Sequence, residues 1–589
     1  MNKALICILV ASALTTSYAQ QSISSNTPPE LTPLTPEKPA PPKIELPAKP
    51  RSPREPGGDV VLIPKLNGLI IVGSDSEVKK EGVPDMTGLK VGNVPLLQGK
   101  DFPAVVAPYL GQPMSKNKIQ DMEDDIVLYC RAKNHPLVDV ILLDQTVNNG
   151  VIQLWLLEGK IGSVTVRHEG HKWFNDSFIL SQVRLQTNQP LDARELQSEL
   201  DWVNRNPFRE VDAQFKQGDK LGQSDVVLQV HDQLPLRIYA GYENTGNKFT
   251  GEDRYLAGFN WGNVFGLDQQ LNYQYTTDSS FELVKANSAS YIIPLPWRHT
   301  LTLFGSYVDA RADLGSIGTG FSSKGHSYQA SMRYEVPLPG VGKYQHAASV
   351  GFDFKRGNNN LEFGGSVVSP SSSAVAQFEL GYSAALPDAW GQTSAGIEGY
   401  YSPGGLTSEN NDAHFTTLRP GAKAQYVYGR LNAQRLTRLP MDFSWVLKGT
   451  AQAANHRLIP SEQLGEGGYN TVRGYEERIL SGDDGWLISN ELRTPAFKLG
   501  SLLEDPVDLD YLQGLAFFDY GSIHTIDQVV SDTQDSTLSS IGGGIRYTMG
   551  RHLSVRFDYG YELSARGLSS ELKLGSKSSR VHIGVVASF

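Results

Sequence analysis

Residues 553–563 read LSVRFDYGYEL, and the two sides of that stretch decide the architecture. Leu553, Val555, Phe557, Tyr559, Tyr561 and Leu563 share one face of an extended chain, while Ser554, Arg556, Asp558, Gly560 and Glu562 share the other. The same two-residue period extends outward. Upstream, Gly543, Ile545, Tyr547 and Met549 oppose Gly542, Gly544, Arg546 and Thr548, and much earlier Leu271, Tyr273 and Tyr275 oppose Asn272, Gln274 and Thr276. Downstream, Val581, Ile583, Val585, Ala587 and Phe589 line one side of a last strand that ends on the aromatic. A soluble sandwich would bury its apolar face in a core. So many dyad strands with aromatic ends, and no helix to cover them, match a barrel with hydrocarbon outside and water inside. At about 22 residues per strand and connection, Pro235–Phe589 accommodates about sixteen antiparallel strands, in a range of about fourteen to eighteen.

The rest of the composition agrees. The 589 residues carry a formal charge of -10 and no basic tract, which argues against a general nucleic-acid binder. Beyond the N-terminus no apolar run reaches the roughly 18 residues of a membrane-spanning helix. The opening MNKALICILVASALTTSYAQ has Lys3, an apolar stretch from Ala4 and a small-residue exit at Ser17-Tyr18-Ala19, so residues 1–19 read as a signal peptide. Cys7 lies inside it. Cys130 is then the single remaining thiol, a packed small hydrophobe with no disulfide partner.

Residues 20–59 form a proline-rich linker, TPPELTPLTPEKPAPPKIELPAKPRSPREPGG in its main part, whose backbone reads as an extended tether without hydrogen bonds. Two small α+β units follow. In residues 60–159, Ser115 precedes a helix with Ile119, Met122, Ile126 and Cys130 on one face, and LVDVILLD and VIQLWLLEG read as strands. In residues 160–234, KIGSVTVRHEG is a strand, WFNDSFILSQV and LDARELQSELDWVNR are helices with Asp192 capping the second, and FREVDAQFKQ and SDVVLQVHD are strands. Packing accounts for Trp155, Trp173 and Trp202. Pro235 then starts the barrel, residues 235–589.

Within the barrel, SEQLGEGGYNTVRGYEERILSGDDGWLISNELRTP holds Gly467-Gly468, Val472-Arg473-Gly474-Tyr475, Gly482-Asp483 and Glu491-Leu492-Arg493. Later comes LAFFDYGSI, with Phe517, Asp519 and Gly521 at alternate positions. By alternation Phe518 and Tyr520 face lipid, so these three face the lumen. Phe517 is odd there unless an inward-folding loop packs against it.

These residues resemble the VRG(Y/F) and FxDxG motifs of the POTRA plus outer-membrane β-barrel superfamily. With two preceding units that look like POTRA domains and a terminal Phe589, the chain resembles the TpsB transporters of two-partner secretion, the haemolysin and filamentous-haemagglutinin exporters. The resemblance implies that the hairpin bearing Val472, Arg473, Gly474 and Tyr475 enters the lumen. Arg473 stands at its tip, paired with Asp519 on the wall, and Phe589 belongs to the C-terminal assembly signal. In a wet lumen such a pair contributes about 0–1 kcal/mol, more if water is excluded and the contact is bidentate. Gly474 permits the tight tip, and Gly521 a close approach of loop to strand. Reversing both charges is expected to restore part of the secretion lost on reversing either.

The implied function is export of a large, unfolded, β-rich TpsA-like exoprotein, such as an adhesin or haemolysin, received by the POTRA pair in the periplasm and passed outward by the barrel. Lipid of the bacterial outer membrane and the barrel-assembly machinery are the other implied partners; no nucleic acid, cofactor or metal is. The family often carries a plug helix before its linker. Here QQSISSNT between the cleavage site and Pro28 is too short for one, which leaves the pore to the tether or to nothing. Rival readings are a barrel-assembly factor, which shares both motifs but usually has more POTRA units, and a passive porin or outer-membrane enzyme. His168 and His171 read as surface histidines, and Gly315, Gly318 and Gly320 imitate a phosphate loop only in letters. There is no Walker sequence and no Ser/His/Asp set, so an enzyme is not expected.

Overall fold

A computed structural model of the chain describes residues 32–36, 42–45, 54, 56–313, 321–363, 366–369, 371–499, 510–527, 529, 535–568 and 578–589. The signal-peptide reading and the glycines at 315, 318 and 320 lie outside the described residues. The contacts divide the chain into two units, one of residues 39–234 and one of residues 1–38 with 235–589.

In the first unit each small domain builds a four-stranded mixed sheet. One runs in the order Gly88–Val91, Gly68–Val72, Val151–Glu158, Val138–Ile141. Its core is packed by the helix Lys116–Ala132, where Ser115 caps the first turn by accepting from the Lys118 N–H and Ile119, Met122, Ile126 and Cys130 are buried. Burial pushes the Cys130 thiol up to about 11. Its pKa thus lies well above the reaction pH and little thiolate forms. The folded protein is therefore expected to resist iodoacetamide at pH 8 and to react fully once denatured; modification of the native form, read by mass spectrometry, would contradict this packing.

The second sheet contains Arg209–Gln217, Gln223–Asp232 and Lys160–Glu169, with helices Asp176–Gln182 and Ala193–Val203 against it. Asp192 caps the latter helix, accepting from the Arg194 N–H at 2.7 Å. Two expectations fail here. His168 is nearly buried, 2.7 Å from Asp176 and 3.1 Å from Asp232, because its strand end is covered by the Asp176 helix. Trp173 is 43% exposed and stacks on His171 instead of packing inside.

In the second unit a closed antiparallel barrel begins with Leu236–Glu243 and ends with Ser579–Ser588, which pair with each other. Eighteen strands join the closed sheet, but Asn360–Phe363 and Ser366–Ser369 only extend it as a hairpin, since Gln345–Asn358 pairs directly with Ser372–Pro387. Sixteen strands form the wall. Its burial is inverted relative to a soluble fold: Phe557, Tyr559, Tyr561 and Leu563 are exposed, while Asp558 and Gly560 are buried. The interior groups bond along the wall, Asn260 to Asn272 at 2.8 Å and Asn272 to Ser290 at 3.0 Å. Short connections, 265–268, 295–299 and 388–390 among them, gather at the end where the first strand starts and carry exposed Phe265, Trp297 and Trp390. Phe589 is 82% exposed beside them in sequence order of closure, bonding Ile238 through both its backbone groups.

The barrel region contains a helix, Asp412–Leu418, which covers no lipid face: Phe415 packs on the inward-facing Tyr400, Tyr426 and Tyr428. One further expectation is corrected. The linker is also not free of hydrogen bonds. The Leu34 N–H donates to Gln274 Oε1 at 3.2 Å and the Leu34 carbonyl accepts from Asn260 Nδ2 at 2.6 Å, so this part of the tether lies on the inner wall. Proline removes donors, yet every carbonyl and every non-proline N–H remains available to polar wall groups.

Candidate functional site

The strands Ser444–Ala454 and Asp484–Arg493 are neighbours in the wall, so the long connection between them must leave and return at one place. It does so as a hairpin pinned by Leu464–Glu466 pairing with Leu480–Gly482, and it folds against inward-facing side chains. Near its base, the buried Glu462 accepts from Lys355 at 3.0 Å, Gln377 at 3.0 Å and Tyr428 at 2.9 Å. Farther along, Glu466 accepts from the Leu538 N–H, and a Cβ on Gly521 would overlap that carboxylate. Gly521 is therefore one point at which the hairpin touches the strand Asp510–His524.

Arg473 and Asp519 are brought together. Arg473 Nε donates to Asp519 Oδ2 at 2.7 Å and Nη2 to Oδ1 at 2.8 Å, a bidentate pair, and the Arg473 backbone N–H adds a third bond at 3.2 Å. The guanidinium lies 3.5 Å from the Phe517 ring centroid, which supplies the partner that an inward Phe needs. Val472 is buried in an apolar cluster with Tyr475, whose hydroxyl lies within donating distance of the carbonyls of Ser539 and Ser564, at 3.0 and 2.8 Å, and shares its one proton between them. Gly474 has φ of +95°, a left-handed backbone that disfavours other residues, and its N–H donates to His582 Nε2 at 3.0 Å.

Of the two cases stated for this pair, wet and screened or dry and bidentate, the geometry is the second. The side chains of Arg473 and Asp519 are 3% and 0% exposed, so the weak, screened limit does not apply. The pair is also not isolated: Arg473 Nη1 donates to Glu491 Oε1 at 2.9 Å and lies 3.7 Å from Asp558, while Arg493, Arg546 and Arg556 bond the same two carboxylates. This revises the double charge reversal. An Asp at 473 would face Glu491 and Asp558 as like charges, so rescue is no longer expected.

Sequence reasoning missed Glu491, Asp558, Gly560 and His582 as parts of the site. Glu491 and Asp558 both stood in stretches already singled out. What was lacking is the register that places the strands Asp484–Arg493, Asp510–His524 and Leu553–Arg566 around one loop. The arrangement is an arginine held by three carboxylates on a wall. It can fasten a loop within the lumen, or release it.

The profile of the haemolysin secretion/activation family ShlB/FhaC/HecB matches residues 222–547. The chain is 23% identical over 454 residues to the heme/hemopexin transporter protein HuxB of Haemophilus influenzae, covering 75% of this chain and 76% of that protein. It is 25% identical over 476 residues to the outer membrane transporter CdiB of Dickeya dadantii, covering 80% and 81%. Among solved structures, CdiB from Escherichia coli is similar in fold, with a TM-score of 0.69 at 19% identity, covering 100% of this chain and 98% of that one.

Proposed function

This chain belongs to the haemolysin secretion/activation family ShlB/FhaC/HecB, a family of outer-membrane two-partner secretion translocators, and from that membership we propose how its parts divide the work. Family members are transporters, and the chain resides in the outer membrane with its POTRA domains in the periplasm. In our reading residues 60–159 and 160–234 are the two POTRA domains and receive an unfolded, β-rich exoprotein. Residues 235–589 conduct it outward in extended form, and the barrel-assembly machinery inserts them by reading the strand that ends at Phe589. Folding of the client outside removes exposed chain from the equilibrium and so biases transit outward. The hairpin carrying Arg473 must shift for a chain to pass, since it occupies the lumen.

The observation that carries this reading is the family match, which runs from the end of the second small domain through most of the barrel and includes both motifs. Expression of the chain beside a large β-rich exoprotein, taken from an adjacent reading frame if one encodes such a protein, tests it. That polypeptide is expected in the medium only when the full chain is present. Removing residues 60–232 is expected to stop its secretion while leaving a folded, ion-conducting barrel; undiminished secretion after that deletion would overturn the assignment of a receiving role and favour a passive pore.

A further inference from the structure

Lys285, Arg311 and Lys324 lie on three adjacent wall strands, Val284–Pro294, Thr300–Asp313 and Phe321–Pro337. Alternation puts all three on the lipid-facing side of the wall, the side of the exposed Tyr307 and Tyr328. Arg311 and Lys324 are direct partners in the ladder, and Lys285 stands opposite Asp309. Among the described residues, none of these three side chains has a hydrogen-bond or ion-pair partner. The wall matches its other cations close by: Arg356, on the next strand, donates to Glu409 at 2.7 Å. The carboxylates near the three are engaged or apart. Asp309 lies 3.5 Å from His326 Nδ1, which is also 3.2 Å from the Tyr307 hydroxyl, and the exposed Glu282 bonds none of the three.

Such a group costs the fold something. Like charges directly opposite each other on one sheet face are destabilising, and cations on the lipid side are tolerated only near the edge of the hydrocarbon. The three meet the second condition. The short turns gather at the end where the first strand starts, just after the periplasmic domains in sequence, so these residues lie toward the opposite, external end. Exposed tyrosines such as the Tyr307–Tyr328 pair mark the interface. Above that pair Lys285 rises by two positions and Arg311 and Lys324 by four, about 5 and 10 Å along the membrane normal at about 3.4 Å per residue and a tilt near 40°. That is the headgroup layer. Across strands about 4.8 Å apart, the outer two of the three cations are separated by about 10 Å. One phosphodiester would reach only part of this group. A headgroup carrying two phosphates spans it, bound in the fork of Arg311 and by the two lysines as point charges.

We propose that Lys285, Arg311 and Lys324 form a binding site for the phosphorylated glycolipid of the outer leaflet, lipopolysaccharide, whose acyl chains then lie along the wall below, past Tyr307 and Tyr328. The bound phosphates relieve the opposition of Arg311 and Lys324, which the protein alone leaves unrelieved. The site uses only the outward face of three wall strands, so it stands apart from what the lumen conducts.

The test uses the full-length protein in dodecylmaltoside and, as probe, a fluorescent deep-rough lipopolysaccharide that keeps both lipid A phosphates. The triple variant Lys285→Gln/Arg311→Gln/Lys324→Gln is expected to bind it about tenfold more weakly or worse at low salt. Wild-type affinity is expected to fall as NaCl is added, and that of the triple variant to change little. Lys343→Gln, an exposed cation in the short connection at the other end of the barrel, is expected to bind as the wild type does. The glycolipid is expected to raise the unfolding temperature of the wild type and not of the triple variant. Without glycolipid the triple variant is expected to be no less stable than the wild type, because the opposed charges are gone. Equal affinity of wild type and triple variant, binding by neither, undiminished binding of a glycolipid stripped of its phosphates, or equal displacement by phosphatidylglycerol or inorganic phosphate overturns the proposal. A triple variant that is less stable without glycolipid also overturns it, since the three side chains would then act within the fold.

Discussion

Asp519→Asn is expected to cut secretion to a small fraction of the wild-type level and to lower the temperature at which the barrel loses its folded band on a semi-native gel. The reason lies in what remains. Arg473 stays charged and 3% exposed, but loses the carboxylate that takes two of its side-chain bonds and its backbone N–H. Breaking a buried pair by removing one partner costs about 3–5 kcal/mol, because the surviving charge is left uncompensated. Here the loss falls toward the lower figure, since Glu491 still holds Nη1 at 2.9 Å. Asp519→Glu keeps the charge but not the spacing and is expected to fall between. Wild-type secretion and stability in Asp519→Asn would show that the hairpin is held by something else.

Gly560→Val is expected to raise the ion conductance of the barrel in planar bilayers several-fold. A Cβ on Gly560 would stand 2.5 Å from the backbone nitrogen of Gly474 and 2.7 Å from its Cα, distances that backbone atoms cannot accommodate by rotating a side chain. Either the hairpin lifts from the strand Leu553–Arg566 or that strand leaves its register. Thirteen paired positions join it to Ser536–Met549, whereas at Gly474 the hairpin's backbone is held by a single N–H bond to His582, so the tip of the hairpin is the part that gives. Gly543→Ala is the control, because its Cβ would meet only the Leu515 carbonyl at 3.4 Å, an ordinary contact. Unchanged conductance in Gly560→Val, with the barrel folded, would mean that the hairpin does not obstruct the lumen.

Much of the barrel was legible because one signal, a period of two with the apolar side outward, is written in every wall strand and needs no long-range information. The helix starts at Ser115 and Asp192 were legible for a similar reason: a capping side chain acts two or three residues away. The inward placement of Phe517, Asp519 and Gly521 followed from alternation alone. What surrounds them did not. Glu491, Asp558 and His582 come from three separate strands, and only the closure and register of the wall bring them to the Arg473 hairpin. Ile44–Glu45, the short strand by which the tether joins the second small sheet, escaped for the opposite reason. A two-residue strand has no period to detect, and the prolines on both sides argued for a chain without partners. His168 looked exposed because the sequence places it at a strand end, and the helix that buries it is positioned by tertiary packing.

The bond between Arg473 and Asp519 as the fastening of the hairpin is tested most directly by a double-mutant cycle. Arg473→Gln, Asp519→Asn and the pair of substitutions together are each measured for the free energy of barrel unfolding in detergent. A coupling of about 2 kcal/mol or more, with the double variant no less stable than Asp519→Asn alone, is the expected result. Losses that add to within about 0.5 kcal/mol would mean that the two side chains act independently, and the hairpin would have no fastening there.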